Sequence, residues 1–148
     1  FQGIKMKRAL FLLILITLSS MKCDKEYKEN KNLENNQTII TISVDDFYRL
    51  VSENKKNKDV VIIDFRTQEE YKGGHLENAI NINFYDNNLK DILNNLEKDK
   101  IYLIYCRSGN RSRKALKIME ELNFKQVYNM EGGIIQWNIK GYPLISEK

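Results

Sequence analysis

The segment 106–112 combines a nucleophile with residues that would stabilise it as an anion. It consists of Cys106, Arg107, Ser108, Gly109, Asn110, Arg111 and Ser112. A cysteine that ends a strand and precedes a helix lies beside unpaired backbone N–H groups, where the helix dipole favours an anion. Arg107 and Arg111 add positive charge near it. Together these features predict that the pKa of the Cys106 thiol lies below its free value of about 8.5, which makes the sulfur a nucleophile.

The residues between the two arginines favour a tight loop. Ser108, Gly109 and Asn110 are small or tolerate unusual backbone angles, so the loop amides can point inward and form a nest for an anion. The competing interpretation is that Cys106 is a small buried hydrophobic residue, as a lone cysteine at the end of a strand usually is. Packing alone does not require polar, cationic and flexible residues to follow, and we therefore favour the nucleophile.

Alternating apolar segments position this loop in the fold. The predicted strands are 38–42, 60–63, 79–82, 101–105 and a short one near Val127; the predicted helices are one from an N-cap at Ser43 to about Glu53, one over 89–96, one over 115–122 and one from about Gly133. This alternation indicates an α/β domain with a small, mostly parallel sheet flanked by helices. Ligands bind at the carboxyl ends of such strands, and the segment 106–112 follows one of them.

Four motifs in fitting order and spacing resemble the rhodanese-like sulfurtransferases, in particular their single-domain members. They are the loop CRSGNRS at 106–112, the run 64–71 with Asp64-Phe65-Arg66 and Glu69-Glu70-Tyr71, the run 74–82 that reads GHLENAINI, and the run 127–137 with Gly141-Tyr142-Pro143 after it. The resemblance covers roughly residues 38–146. It implies a single rhodanese-like domain.

The resemblance implies a two-step transfer of sulfane sulfur. The Cys106 thiolate would attack a small anionic donor such as thiosulfate and become a persulfide, which would pass its outer sulfur to a thiol or cyanide acceptor. The amides of residues 107–112 would hold the terminal sulfur, while Arg107 and Arg111 would attract the donor. The resemblance implies neither a metal nor an organic cofactor, and we expect the protein to be a monomer.

Two alternative functions remain open at this point. Cysteine-dependent phosphatases carry the pattern C-x5-R, whereas Arg111 lies five positions after Cys106 and gives C-x4-R. The shorter loop suits a single persulfide sulfur, and the loop has no acid that could protonate a leaving group. A phosphatase or arsenate reductase is therefore the enzymatic alternative. The other alternative is a persulfide-carrying or interaction module without turnover of its own.

Three further residues are expected to support the site rather than to react. His75 is the only histidine in the sequence. It could act as a base for Cys106, but the resemblance favours a hydrogen-bonded histidine in the turn after Gly73-Gly74. Asp64 and Arg66 are expected to form an ion-pair network near the end of the sheet.

The composition excludes several classes of protein. Two cysteines and one histidine cannot complete a tetrahedral zinc site without carboxylates, and they are too few for a small disulfide-stapled fold. The net charge of +4 comes from the N-terminus, since Lys5, Lys7, Arg8 and Lys22 precede Cys23 and no acidic residue does. Without these four basic residues, the sequence has 20 basic and 20 acidic residues. We therefore expect no nucleic-acid partner.

The N-terminal segments predict export from the cytoplasm. Residues 1–5 are interpreted as the remnant of an expression tag and 6–22 as a signal peptide, because basic residues precede an apolar run too short to span a bilayer. Cys23 stands where bacterial lipoproteins carry their acylated cysteine, although Lys22 replaces the usual small residue. We expect 23–37 to be a flexible tether and 38–148 the folded domain. The protein would be periplasmic, or anchored by its N-terminus on the outer side of the cytoplasmic membrane.

Overall fold

The computed structural model describes residues 36–146, in which strands and helices alternate. The strands are β1 (Thr38–Ile42), β2 (Val60–Asp64), β3 (Ala79–Asn81), β4 (Ile101–Tyr105) and β5 (Gln126–Met130). The helices are α1 (Val44–Glu53), α2 (Gln68–Lys72), α3 (Leu89–Asn94), α4 (Asn110–Glu121) and α5 (Gly133–Ile139). The strands, α1, α3 and α5 lie where the sequence pattern predicts them, whereas α2 was not predicted. α4 begins at Asn110, five residues before its predicted start, so the last three residues of the predicted loop 106–112 form its first turn.

The predicted tag remnant, signal peptide and acylation site at Cys23 lie outside the described residues, as does the tether up to residue 35. Among the helices of residues 36–146, none has the length and apolar character needed to cross a membrane.

The five strands form one parallel sheet in the order β1-β5-β4-β2-β3. This confirms the predicted α/β class, and the sheet is wholly rather than mostly parallel. β4 lies at the centre, between β5 and β2, and its last residue, Tyr105, is opposite Asp64 of β2. Because parallel strands end at the same edge of a sheet, Cys106 and Arg66 follow neighbouring strands at the carboxyl edge, where ligands bind in such folds.

Both faces of the sheet are covered, which explains the continuous apolar runs in β2 and β4. Successive side chains of a strand point to opposite faces. On one face, Ile104 and Cys106 belong to a hydrophobic cluster that includes Ala115 of α4. On the other face, Tyr105 packs in a second cluster with Trp137 of α5. Cys106 therefore continues the alternation of β4 and points to the side that α4 covers.

Side-chain caps explain where the first two helices begin. Ser43 caps α1 as predicted, since its Oγ accepts a hydrogen bond from the Asp46 amide at 3.1 Å. α2 has no buried residue, so it leaves no apolar periodicity from which to predict it. It begins instead at a capping box, in which Thr67 Oγ1 accepts from the Glu70 amide and the Glu70 carboxylate accepts from the Thr67 amide. The spacing Thr67-x-x-Glu70 is the sequence signal for this helix.

Candidate active site

Cys106 lies at the carboxyl edge of the sheet, between the end of β4 and the N-terminus of α4. Its side chain is buried. Its Sγ accepts a hydrogen bond from the Gly109 amide at 3.2 Å, and Ser112 Oγ donates to it at 3.4 Å. The loop 106–112, which we call the Cys106 loop, thus closes around its own sulfur with a backbone N–H and a hydroxyl as donors.

These donors shift the pKa of the Cys106 thiol. Burial raises the pKa of the Cys106 thiol, because a charged sulfur loses hydration. The Ser112 hydroxyl and the amides of Ser112, Ser108 and Gly109 together lower that pKa by more, so it lies below its ordinary value. The Cys106 thiolate is therefore more stable than that of an ordinary cysteine, and the hydrogen-bond donors of the loop account for the largest stabilising contributions.

Gly109 makes the tight turn of the Cys106 loop. Its φ is +89°, a left-handed conformation that glycine adopts without strain, and it is the N-cap of α4. A Cβ at this position would also lie 3.3 Å from the Gly132 amide nitrogen. The close approach of these two loops therefore favours glycine at position 109.

The N-terminus of α5 holds the Cys106 loop through backbone hydrogen bonds. The Ile134 amide donates to the Cys106 carbonyl at 2.9 Å, and the Ile135 amide donates to the Arg107 carbonyl at 3.1 Å. Gly133, with a φ of +59°, permits this approach, because a Cβ there would lie 2.6 Å from the Arg107 carbonyl oxygen. No side-chain pattern predicts this contact, because backbone groups make it. The feature of the sequence that points to it is the pair of successive glycines, Gly132 and Gly133, before the helix.

Arg111 is bound by a carboxylate from α2. Its Nη1 lies 2.7 Å from Glu70 Oε2 and its Nη2 lies 2.9 Å from Glu70 Oε1, which makes the pair bidentate. Arg111 lowers the pKa of Glu70 to about 2, and Glu70 raises the pKa of Arg111, so both stay charged at neutral pH. Glu70 was not among the site residues predicted from the sequence. The pair reduces the positive charge that Arg111 offers to an anion.

An open pocket of about 430 Å³ borders the Cys106 loop. It is lined by Thr67, Glu70, Tyr85, Arg107, Ser108, Asn110 and Arg111. Arg107 is exposed and has no carboxylate partner among residues 36–146. Tyr85 is 66% exposed, and the Arg111 guanidinium carbon lies 5.6 Å from its ring centroid. Tyr85 was not predicted to lie at the site, since an aromatic residue in a polar loop carries no specific signal.

Asp64 and Arg66 stabilise the end of the neighbouring strand. Arg66 Nη2 lies 2.6 Å from Asp64 Oδ2, and both side chains are buried. The same nitrogen donates to the Gly74 carbonyl at 2.6 Å, and Asn81 Nδ2 donates to the carbonyls of Asp64 and Arg66. These bonds tie the end of β2 to β3 and to the turn that precedes β3. Neither Asp64 nor Arg66 lines the 430 Å³ pocket.

His75 is buried against Tyr71. Its Nδ1 lies 2.9 Å from the Tyr71 carbonyl oxygen, and the two rings stack with centroids 3.6 Å apart. The backbone of His75 forms an antiparallel bridge with Ile145. These contacts fix the turn before β3 to the C-terminal segment, and none of them involves Cys106.

Comparisons with known proteins identify similar chains. Residues 43–140 match the family model described as a Rhodanese-like domain. A protein named sulfurtransferase from Allochromatium vinosum is 32% identical over 89 residues, which cover 60% of this chain and 81% of that one. The thiosulfate sulfurtransferase GlpE of Coxiella burnetii is 33% identical over 82 residues, 55% of this chain and 75% of that one. The tRNA uridine(34) hydroxylase of Photorhabdus laumondii is 39% identical over 85 residues, 55% of this chain but only 24% of that protein.

Solved structures show the same architecture. A rhodanese-related protein from Thermoplasma volcanium is 34% identical with a TM-score of 0.60, and the match covers 72% of this chain and 98% of that one. The polysulfide-sulfur transferase homodimer from Wolinella succinogenes is 28% identical with a TM-score of 0.59, covering 86% of this chain and 93% of that one. In each case the similarity extends over nearly the whole of the solved chain.

Proposed function

The chain belongs to the rhodanese-like domain family, and from this we propose that it is a sulfurtransferase that carries sulfur on Cys106. The donor is a small anion of the thiosulfate class, and the acceptor is a thiol or cyanide. One observation carries the proposal: a cysteine sulfur with a lowered thiol pKa is held by loop donors beside an open pocket. Arg107, which forms no ion pair with any residue between 36 and 146, lines that pocket.

In the first step the Cys106 thiolate attacks the outer sulfur of thiosulfate. A bond forms between Sγ and that sulfur, the sulfur–sulfur bond of thiosulfate breaks, and sulfite leaves with the electron pair. The product is a Cys106 persulfide. The lowered pKa supports this step, because the thiolate is the attacking species. Arg107 supports it because its positive charge offsets the repulsion between the Cys106 thiolate and the thiosulfate anion.

In the second step the acceptor attacks the terminal sulfur of the persulfide. The sulfur–sulfur bond breaks, and its electron pair returns to Cys106 as a thiolate. Cyanide gives thiocyanate, and a thiol gives the acceptor's own persulfide. The donors from Gly109 and Ser112 support this step too, because a thiol of low pKa is a better leaving group.

The phosphatase alternative has less support. A phosphatase needs its loop arginine for the phosphate, whereas Arg111 is engaged by both oxygens of Glu70 at 2.7 and 2.9 Å. Glu70 is the carboxylate that lines the pocket, and its pKa of about 2 leaves it without a proton to give to a leaving group at neutral pH. Sulfur transfer needs no such acid.

Thiocyanate formation from thiosulfate and cyanide tests the proposal. We expect turnover by the wild type, none above background by Cys106→Ser, and unchanged turnover by Cys23→Ser, the matched control at the other cysteine. Sulfur found on Cys106 by mass spectrometry without turnover by cyanide or several thiols would favour the carrier module. Absence of sulfur on Cys106 after exposure to several donors would refute both, and hydrolysis of p-nitrophenyl phosphate would then favour the phosphatase.

We also propose that the protein works outside the cytoplasm, exported by residues 6–22 and held by an acylated Cys23 through the tether 23–37. The support comes from the sequence, namely the basic and apolar order before Cys23. Mass spectrometry of the protein produced from Met6 in a bacterial host tests it. We expect a membrane-bound form with lipid on Cys23. An exported form with an unmodified Cys23 would refute the anchor, and a full-length cytoplasmic form would refute export.

A further inference from the structure

We propose that the exposed face of α4 docks an acidic acceptor protein, whose thiol then takes the sulfur from the Cys106 persulfide. The docking surface consists of Arg113, Lys114 and Lys117, and we call it the α4 cationic stripe. The inference rests on the sulfurtransferase function proposed above, and it adds the kind of acceptor that the site would use.

Four of the five positive charges in this region have no ion-pair partner among the described residues. From Arg107 to Lys117 the chain has five basic residues and no acidic one. Arg111 is paired with Glu70. The three residues of the stripe are exposed and, like Arg107, form no ion pair with any residue between 36 and 146.

Some exposed cations elsewhere on the domain have such partners, while others, such as Lys56 and Lys58, have none among the described residues. Ion pairs of exposed side chains join Arg49 to Asp46, Lys55 to Glu77 and Lys140 to Asp45. What distinguishes the stripe is that no acidic residue stands near it in the chain from 107 to 117, so it is a local excess of positive charge on a domain whose basic and acidic residues otherwise nearly balance.

The stripe is continuous with the mouth of the site. Positions 110, 113, 114 and 117 follow the three- and four-residue spacing of a single helix face. Their side chains line one shallow depression of about 250 Å³. Asn110 lines this depression and also the pocket at the Cys106 loop. A partner lying along α4 would therefore extend to the rim of the reactive pocket.

The order of charges along α4 is unfavourable for the helix itself. Its first turn has no acidic residue and its last turn has no basic one. Glu120 and Glu121 stand at its C-terminal end. The helix dipole favours the opposite order, and cations three or four positions apart repel one another. Helix stability therefore does not account for the stripe, whereas an anion supplied by a partner would balance it.

The size of the stripe favours an extended anion. At 1.5 Å per residue, the face from Asn110 to Lys117 is about 10 Å long, more than a thiosulfate ion needs. A membrane pressed against α4 would cover the adjoining pocket and hinder entry of the donor. An acidic protein carrying a thiol is an extended anion that also supplies the nucleophile of the second step.

Two synthetic peptides, each with a single cysteine, test the inference. One carries a run of glutamates beside the cysteine, and the other carries glutamines at the same positions. The wild type is loaded with sulfur from thiosulfate, and the discharge of the Cys106 persulfide is followed in a single turnover. We expect the acidic peptide to react about tenfold faster at low salt, and the advantage to disappear at high salt because the charges are screened.

Charge-matched variants locate the effect. The triple variant Arg113→Gln/Lys114→Gln/Lys117→Gln should lose the preference for the acidic peptide while remaining folded, because glutamine is a good helix former. The control variant Lys55→Gln/Lys56→Gln/Lys58→Gln removes the same charge from the segment after α1 and should keep the preference. Thiosulfate–cyanide turnover should be unchanged in both variants.

Several results would overturn the inference. Equal rates for the two peptides at low salt would do so, and so would a preference for the acidic peptide that survives in the triple variant. If thiosulfate–cyanide turnover of the triple variant falls by the same factor as its discharge by the acidic peptide, the stripe serves the small donor instead. Stripe-dependent binding to phosphatidylglycerol vesicles without a peptide preference would assign it to a membrane. If the mass of Cys106 shows no persulfide at all, the sulfurtransferase function fails together with this inference, and that result is distinct from the others.

Discussion

The carboxylate of Glu70 binds both terminal nitrogens of Arg111, at 2.7 and 2.9 Å, and it also accepts the Thr67 amide that begins α2. A single side chain therefore connects the start of α2 to the loop that carries Cys106. Because the pKa of Glu70 is about 2, the ion pair persists throughout the neutral range. α2 has no buried residue, so this pair is a main attachment between it and the reactive loop.

Replacing Glu70 by glutamine should lower the free energy of unfolding by about 1–2 kcal/mol at pH 7, since a half-buried, bidentate pair is lost. Glutamine can keep the capping bond to the Thr67 amide, so the loss reports the ion pair. The pKa of Glu70 is lowered from 4.5 to about 2, so its contribution is complete above pH 4.5 and is lost as the pH falls toward 2. Thermal denaturation of both proteins should show a difference that shrinks below pH 4.5.

A double-mutant cycle with Arg111→Gln isolates the pair. The double variant Glu70→Gln/Arg111→Gln should be more stable than the sum of the two single losses predicts, since each single variant leaves one charge unpaired. Additive losses would show that the two side chains do not stabilise each other.

The strands around the site could be predicted because burial on both faces leaves continuous apolar runs, such as 101–105 of β4. α2 could not be predicted in this way, because its five residues bury nothing and show no period. Its capping box was present in the sequence, but a capping box becomes a strong signal only beside an apolar run. Short elements held by side-chain hydrogen bonds are therefore the ones that periodicity misses.

The reactive loop could be predicted because its chemistry is contiguous in the chain, from Cys106 to Ser112. Glu70 could not be assigned to it, since 41 positions separate Glu70 from Arg111 and either residue could have other partners. Ile134 and Ile135 hold the loop through their backbone amides, which every residue except proline has. Their residue types therefore do not predict these hydrogen bonds. The parts of the site that other elements contribute therefore become visible only in three dimensions.

Replacing Ser112 by alanine should raise the pKa of Cys106. The Ser112 hydroxyl lies 3.4 Å from Sγ and is among the groups that lower this pKa. A hydrogen bond to a charged group contributes about 1.5–3 kcal/mol, so we expect a rise of about one pH unit or more. The rate of thiolate attack should then reach half its maximum at a higher pH. Alkylation by iodoacetamide as a function of pH measures this directly.

Ser108→Ala is the matched control for this shift. Ser108 contributes through its backbone amide, which alanine keeps, so the alkylation profile should stay where it is in the wild type. An equal displacement in both variants, or none in Ser112→Ala, would show that the Ser112 hydroxyl does not stabilise the thiolate.

Replacing Arg107 by glutamine should weaken the binding of an anionic donor. Arg107 is exposed, lines the pocket and has no carboxylate partner among the described residues, so its full charge would act on the proposed donor. We expect the KM for thiosulfate to rise roughly three- to tenfold and its dependence on salt to weaken. Arg107→Lys should restore most of the affinity because it keeps the charge. Steady-state kinetics at two salt concentrations would contradict this role if all three proteins gave the same KM.

Replacing Gly133 by alanine should disturb both the fold and the reaction, whereas Gly141→Ala should disturb neither strongly. Both glycines have a positive φ, +59° and +71°, so an alanine costs roughly 1–2 kcal/mol of backbone strain at either position. Only at Gly133 would the Cβ also meet the Arg107 carbonyl oxygen, at 2.6 Å, while no atom of residues 36–146 lies within 4 Å of a Cβ at Gly141. We therefore expect Gly133→Ala to lose about 1–3 kcal/mol more in urea denaturation than Gly141→Ala.

The activity of the two glycine variants separates packing from positioning. The added Cβ pushes the Cys106 loop away from the amides of Ile134 and Ile135, which hold the carbonyls of Cys106 and Arg107 at 2.9 and 3.1 Å. The folded fraction of Gly133→Ala should therefore show a reduced kcat for sulfur transfer, and Gly141→Ala should keep the wild-type value. If Gly133→Ala transfers sulfur at the wild-type rate once corrected for unfolded protein, the N-terminus of α5 does not position the reactive loop.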